Sequence, residues 1–273
     1  MANRFSFPGS AKRDLTALLL LAFLASPLCA QTRSLHVEDL TWTEVRDAIA
    51  AGKTTAIYYA GSTEQNGPHM ALGKHSFIAR QVAQRIAAAL DNALVYPIMP
   101  FAPTGDPLNM TDHMRFPGSI SVSEETFASV ARDVSLSAIA AGFRNIVLMG
   151  DHGGGQEALA RVARELTSQW RAEGVHVHYI PDLYYKSNDL ASAYLARQGM
   201  QPGSHAGLSD TAELMALDPQ GRWIRRDRLA AGTAGSGVDG DPRQASAELG
   251  ERLIGFKVDS SVAQIRGLLS QAH

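Results

Sequence analysis

Short apolar runs recur through the first two-thirds of the chain, and between them the apolar residues fall at helical spacing. The runs Thr54–Ala60, Ala93–Met99, Asn145–Met149 and Val175–Ile180 have the length and composition of strands. The third, Ile-Val-Leu-Met at its centre, is apolar at successive positions, as expected of a parallel strand covered by helices on both faces. Thr41 with Glu44 forms a capping-box signal ahead of Trp42, Val45 and Ile49, and Gly52 supplies a stop. Phe77, Ile78, Val82, Ile86 and Leu90 predict a helix over Ser76–Leu90, with His75 at its N-terminus. Ser123 opens another helix, with Phe127, Val130, Val134 and Ile139 on its apolar face and Gly142 at its end. Gln156–Glu173 forms the next, stopped by Gly174. This alternation predicts an α/β protein, a three-layer α/β/α domain around a mainly parallel central sheet. Further on, Asp189–Gln198 reads as a peripheral helix and Asp210 with Glu213 as the start of another. A glycine-rich loop covers Gly232–Gly240, and Ala245–Leu269 reads as helix interrupted near Gly255–Asp259.

Composition adds a leader to this picture. Arg4, Lys12 and Arg13 precede the apolar run Leu15–Leu24, and Leu28-Cys29-Ala30 offers a cleavage site before Gln31. Residues 1–30 are therefore expected to be a signal peptide, cleaved near Ala30 and directing a single domain, residues 31–273, to the periplasm. The run is too short for a stable membrane span. At 45% hydrophobic and 19% charged the chain can build a sizeable core, and its net charge of −2 with no basic run speaks against a nucleic-acid partner. Cys29 is the only cysteine and leaves with the leader, so the exported domain has neither disulfides nor thiolate metal sites. Any metal must be held by nitrogen and oxygen.

Chemistry-bearing residues gather where strands end, which is where open α/β sheets bind ligands. After Ala60 come Glu64, Gln65, Asn66, His69 and His75; the long loop Pro100–Gly118 carries His113; Gly150–Gly155 carries His152; and His205 begins a fourth polar loop. Gly153–Gly155 allow close backbone approach beside His152. Plainer readings exist for several of these residues. Asp210 suits a helix cap as well as a ligand, His69 suits a loop brace, and Lys74 suits a solvated charge. His176 and His178 share one face within a strand and are read as sheet surface, and GDHGGGQ lacks the Lys-Ser/Thr ending of a P-loop.

Gly61–His69 (GSTEQNGPH) resembles the GSxEQHGPH loop of the creatininase (creatinine amidohydrolase) family. Asp112–Ser119 is similar to its EHxxFPGT segment and Gly150–Gly155 to its NGHGGN loop. His205–Thr211 is similar to HAGxxET and Gly240–Ala245 to GDPxxA. The resemblance implies a metal-dependent amidohydrolase that uses a metal-activated water to cleave a C–N bond of a small amide, cyclic amides included. It also implies a closed homo-oligomer in which the loop Pro100–Gly118 approaches a neighbouring subunit. Two departures bear on the metal: Asn66 stands where the family has His, and His75 where it has the bridging Asp. A neutral imidazole has one lone pair to give, so one zinc per chain is expected, with manganese as the alternative. The implied metal ligands are Glu64, His75, His152 and Asp210. Glu64 and His205 are assigned to catalysis, with His205 as the proton carrier, and Asn66, His113, Gly153 and Gly154 to the substrate. The resemblance implies a creatinine pocket built with tryptophans, and Trp42, Trp170 and Trp223 lie at none of these motifs, which argues against creatinine itself. The competing expectation is a degenerate relative that binds a small molecule or metal without turnover.

Overall fold

The computed structural model describes residues 34–271, so the expected signal peptide lies outside the described residues. Four parallel strands, β1 (Thr55–Ala60), β2 (Ala93–Val95), β3 (Asn145–Gly150) and β4 (His176–Tyr179), form one sheet in the order β2-β1-β3-β4. Side chains alternate along β1, with Ala56, Tyr58 and Ala60 entering one core and Ile57 and Tyr59 the other. The first core is closed by α1 (Trp42–Ala50), α3 (Glu124–Ala141) and α4 (Gln156–Trp170). The second is closed chiefly by α2 (Lys74–Leu90) and α7 (Ala247–Gln271). The expected three-layer α/β/α arrangement is the one observed.

Local signals placed the helix ends. The Thr41–Glu44 capping box starts α1, Ser123 caps α3 by accepting from Thr126 N–H, and Gly142 ends α3 in the left-handed region at φ 109°. Three expectations are corrected. Helix α2 begins at Lys74 rather than Ser76, which puts His75 inside its first turn. Helix α5 (Tyr185–Arg197) starts earlier than expected and buries Ser187, Ala191 and Leu195. Helix α7 runs unbroken for 25 residues, because a glycine within a helix costs only about 1 kcal/mol and does not interrupt a segment anchored by Leu253, Ile254, Val262 and Ile265. Helix α6 (Leu208–Leu217) packs on α7. Among the described residues no helix is long and apolar enough to cross a membrane.

The register positions the chemistry. Ala60 lies beside Gly150, so β1 and β3 end level and release residues 61–75 and 151–155 side by side. His176 and His178 stay within β4, their rings stacked 6.0 Å apart, as expected of sheet surface.

Candidate metal centre

Glu64 is fully buried, and imidazoles from four separate segments face its carboxylate. His75 Nε2 lies 3.1 Å from Oε1 and His152 Nε2 2.8 Å from Oε2. His113 Nε2 and His205 Nδ1 stand farther off, 3.9 and 4.0 Å from Oε1. The approach of His152 is off the line of a good hydrogen bond, which leaves Oε2 without a hydrogen-bond partner. Burial alone would raise the Glu64 carboxyl, but attraction from His75 and the contacts from both imidazoles outweigh it and hold the group ionised, well below the carboxylate range.

His75 is braced from behind. Its Nδ1 lies 2.7 Å from Asp151 Oδ2, and the other Asp151 oxygen takes Lys257 Nζ at 2.9 Å and Tyr59 Oη at 3.1 Å. Lys257 also reaches Glu213 Oε2 at 2.6 Å. Burial and nearby Lys74 push the His75 pKa down, yet Glu64 and Asp151 prevail and raise it to about 9. Burial, assisted by Lys74, draws His205 down to about 4, and burial lowers His113 as well.

The cavity in front of these groups has a volume of about 460 Å³, and its lining includes Glu64, His75, His113, His152, Gly153, His205 and Asp210. Three sequence expectations change here. Asn66 is not in the lining: its amide turns into its own loop and donates to Glu64 O at 2.9 Å. Gly154 also lies off the cavity, and a Cβ there would sit 2.1 Å from Pro103 O, so its role is close backbone approach. Asp210 lines the same cavity. One of its oxygens is 3.0 Å from Lys74 Nζ and the other accepts Ala206 N–H at 2.7 Å, so it braces the His205 loop. Lys74 itself is fully buried, not solvated. His69 is the brace expected of it, 3.0 Å from Thr211 Oγ1. Among the described residues, Glu64, His113 and His205 form a group whose ligand atoms lie within 4.8 Å of one another.

Sequence reasoning missed Asp151, Glu213 and Lys257. Asp151 had a visible signal, an acid next to His152 at a strand end. Glu213 and Lys257 are helix-interior charges indistinguishable in sequence from solvated ones.

A parallel α/β/α domain with a buried carboxylate and imidazoles at the strand ends defines a class, that of α/β proteins carrying a candidate metal centre beyond the sheet. Within it, the family described as Creatininase: Creatinine amidohydrolase matches residues 38–265, and the chain belongs to that family. It is 29% identical over 238 residues to the mycofactocin precursor peptide peptidase of Mycobacterium tuberculosis, covering 77% of this chain and 84% of the relative. It is 28% identical over 121 residues to the creatinine amidohydrolase of Pseudomonas putida, covering 44% and 46%. Solved creatininases described as Mn and as Zn-Zn type superpose with TM-score 0.72 at 23% identity, covering 86% of this chain and 98% of theirs.

Proposed function

We propose that the protein hydrolyses a C–N bond of a small amide, using one divalent cation held by Glu64, His75 and His152. The observation that supports this reading best is the buried Glu64 carboxylate, whose Oε2 lacks a hydrogen bond while imidazole nitrogens stand 2.8 and 3.1 Å from its two oxygens. At neutral pH the proton on His75 balances this carboxylate, and a cation would take that place by displacing the proton. Two imidazoles and a carboxylate suit zinc, with manganese as the alternative, and the solved relatives are described with both metals. When bound, such a cation polarises an amide carbonyl and acidifies water.

The remaining work falls to the chain. Asp151 holds His75 Nδ1 and so turns Nε2 toward Glu64, as outer carboxylates do for metal-ligating histidines. Gly154 N–H rests on His152 Nδ1 at 3.0 Å, so the His152 proton occupies Nε2; ligation through Nε2 would shift that proton to Nδ1 and release the Gly154 contact. His205, neutral near pH 7, carries protons between water and substrate. Among the described residues no tryptophan lines the cavity, so creatinine is expected to be a poor substrate.

Elemental analysis with an amide panel tests the reading. It predicts about one metal per chain, lost in His75→Ala with the fold intact, and amide hydrolysis that disappears with the metal. Two tightly held metals, or full stoichiometry in His75→Ala, would overturn the ligand set. A second reading, binding without turnover, is favoured by Asn66, which turns away from the cavity and removes one ligand position of the family. Retained metal with no hydrolysis anywhere in the panel would select it. Export to the periplasm and homo-oligomeric assembly belong to the same proposal. Leu108 and Met110, 91% and 53% exposed on the loop expected to meet a neighbour, support assembly, and a monomer in sedimentation would refute it.

A further inference from the structure

We propose that Gln65 is a positioning residue that sorts two imidazoles facing Glu64, so that His113 presents an N–H and His205 a bare nitrogen to the same carboxylate oxygen. Its catalytic consequence rests on the hydrolase reading above; the sorting does not.

The Gln65 side chain is buried and its amide orientation is fixed. Gly67 N–H donates to Oε1 at 2.9 Å, which identifies the other amide atom as the NH₂. Gly237 packs so closely on this amide that a Cβ there would lie 2.1 Å from Oε1. The NH₂ lies 3.2 Å from His113 Nδ1. An amide NH₂ only donates, so Nδ1 accepts, and the His113 ring proton sits on Nε2, directed toward Glu64 Oε1 at 3.9 Å. The backbone carbonyl of the same residue does the reverse for His205. Gln65 O only accepts, and His205 Nε2 lies 2.8 Å from it, so the proton is on Nε2 and Nδ1 is bare, 4.0 Å from Glu64 Oε1. The two rings lie 4.5 Å apart between centroids.

One residue therefore sets out a donor and an acceptor side by side. As water adds to the amide carbon, His205 Nδ1 takes its proton and then passes it to the nitrogen as the C–N bond breaks, leaving an acid and an amine. His113 Nε2–H meanwhile donates to the carbonyl oxygen, on which negative charge develops. The same sorting bears on the group of Glu64, His113 and His205. With its N–H turned inward, His113 faces Glu64 as a hydrogen-bond donor while the protein is metal-free.

Long-range proton–nitrogen NMR on the full chain, freed of metal by chelator and held near neutral pH, reads the ring protons directly. The wild type should show both His113 and His205 protonated at Nε2 and bare at Nδ1. In Gln65→Glu an acceptor replaces the NH₂, so the His113 proton should appear at Nδ1. His205 should stay as it was, because its partner is a backbone carbonyl that no substitution removes. Gln65→Met, which neither donates nor accepts, should leave His113 without a single tautomer and His205 again unchanged. With the metal restored, kcat of Gln65→Glu should fall about 100-fold with KM nearly constant, the range expected for loss of one acid–base group. A wild-type His113 protonated at Nδ1, or a His113 pattern unmoved by Gln65→Glu, would overturn the sorting. If the tautomers are as stated but no amide is hydrolysed, the hydrolase reading falls and the sorting stands. If amides are hydrolysed and Gln65→Glu keeps its kcat, the catalytic role of the sorting falls alone.

Discussion

Lys257 is the cation on which the rear of the site depends, and Lys257→Met measures how much. Its ammonium lies 2.9 Å from Asp151 and 2.6 Å from Glu213, and all three side chains are nearly buried. Removing one partner from a buried ionic cluster costs about 3–5 kcal/mol, because the groups left behind are desolvated and uncompensated. Asp151 keeps His75 and Tyr59. Among the described residues Glu213 pairs with no other cation, so most of the loss should fall on it. For a domain of this size the cost corresponds to a fall in Tm of about 10 °C. The pH dependence gives a second handle. Burial raises the Glu213 pKa even with Lys257 present, and without Lys257 it should rise further. A carboxyl whose folded pKa exceeds its unfolded one contributes stability that is present at low pH and lost as pH rises through the folded value. The deficit of Lys257→Met should therefore be larger near pH 8 than near pH 5. Adding Glu213→Met should recover more than half of it. Urea unfolding of the metal-free proteins at both pH values measures these differences. A cost below about 1 kcal/mol, or a deficit that grows on acidification, would refute the reasoning.

Two further outcomes follow from packing and charge. Gly154→Ala places a Cβ against Pro103 O, so the loop carrying His152 must shift; about 1–3 kcal/mol of stability should be lost in urea unfolding, together with metal affinity. Burial and the neighbouring His176 hold His178 down to about 4 from its ordinary 6.5. The unfolded chain thus binds the proton first, so stability is full above 6.5 and declines as pH falls toward 4, and His178→Leu should flatten that limb of the pH–stability curve.

The fold was largely legible because its signals are local. A capping box, two terminal glycines and apolar runs on successive residues placed most elements, and they agree with the sheet and its covering helices. The break expected in α7 failed because a glycine's cost is small against the side chains that anchor the helix on both sides. The site was legible only as a set of loops. That Glu64 and His75 meet His152 follows from β1 and β3 ending level, which is a property of register, and spacing along the chain carries neither that nor the arrival of His113 and His205 on two further loops. Roles were harder still. Asp210 and Lys74 are each other's partners across 136 positions of sequence, so neither could be told from a ligand or a solvated charge. Asn66 was read by its motif position, whereas its amide is engaged by its own loop.

The departures from the family motif are coupled in space, and this separates a rebuilt site from a decayed one. His75 stands where the motif has Asp, and Asp151 stands where NGHGGN has glycine; the two side chains meet at 2.7 Å. A carboxylate has thus been lost from α2 and another gained on the loop after β3, behind the new imidazole. Random loss would not pair them. The pairing predicts that His75→Asp alone is poorly tolerated, since a carboxylate at 75 would be buried between those of Glu64 and Asp151 with no proton donor between them. Asp151→Gly alone should also be costly, because it strips His75 of its brace and Lys257 of one partner. The double variant, which restores the motif at both positions, should be less destabilised than the sum of the singles by about 1–3 kcal/mol, the coupling expected of residues in direct contact. Urea unfolding of the four metal-free proteins measures the cycle. Additive losses would mean that the two substitutions are unrelated, and the case for a rebuilt site would fail with them.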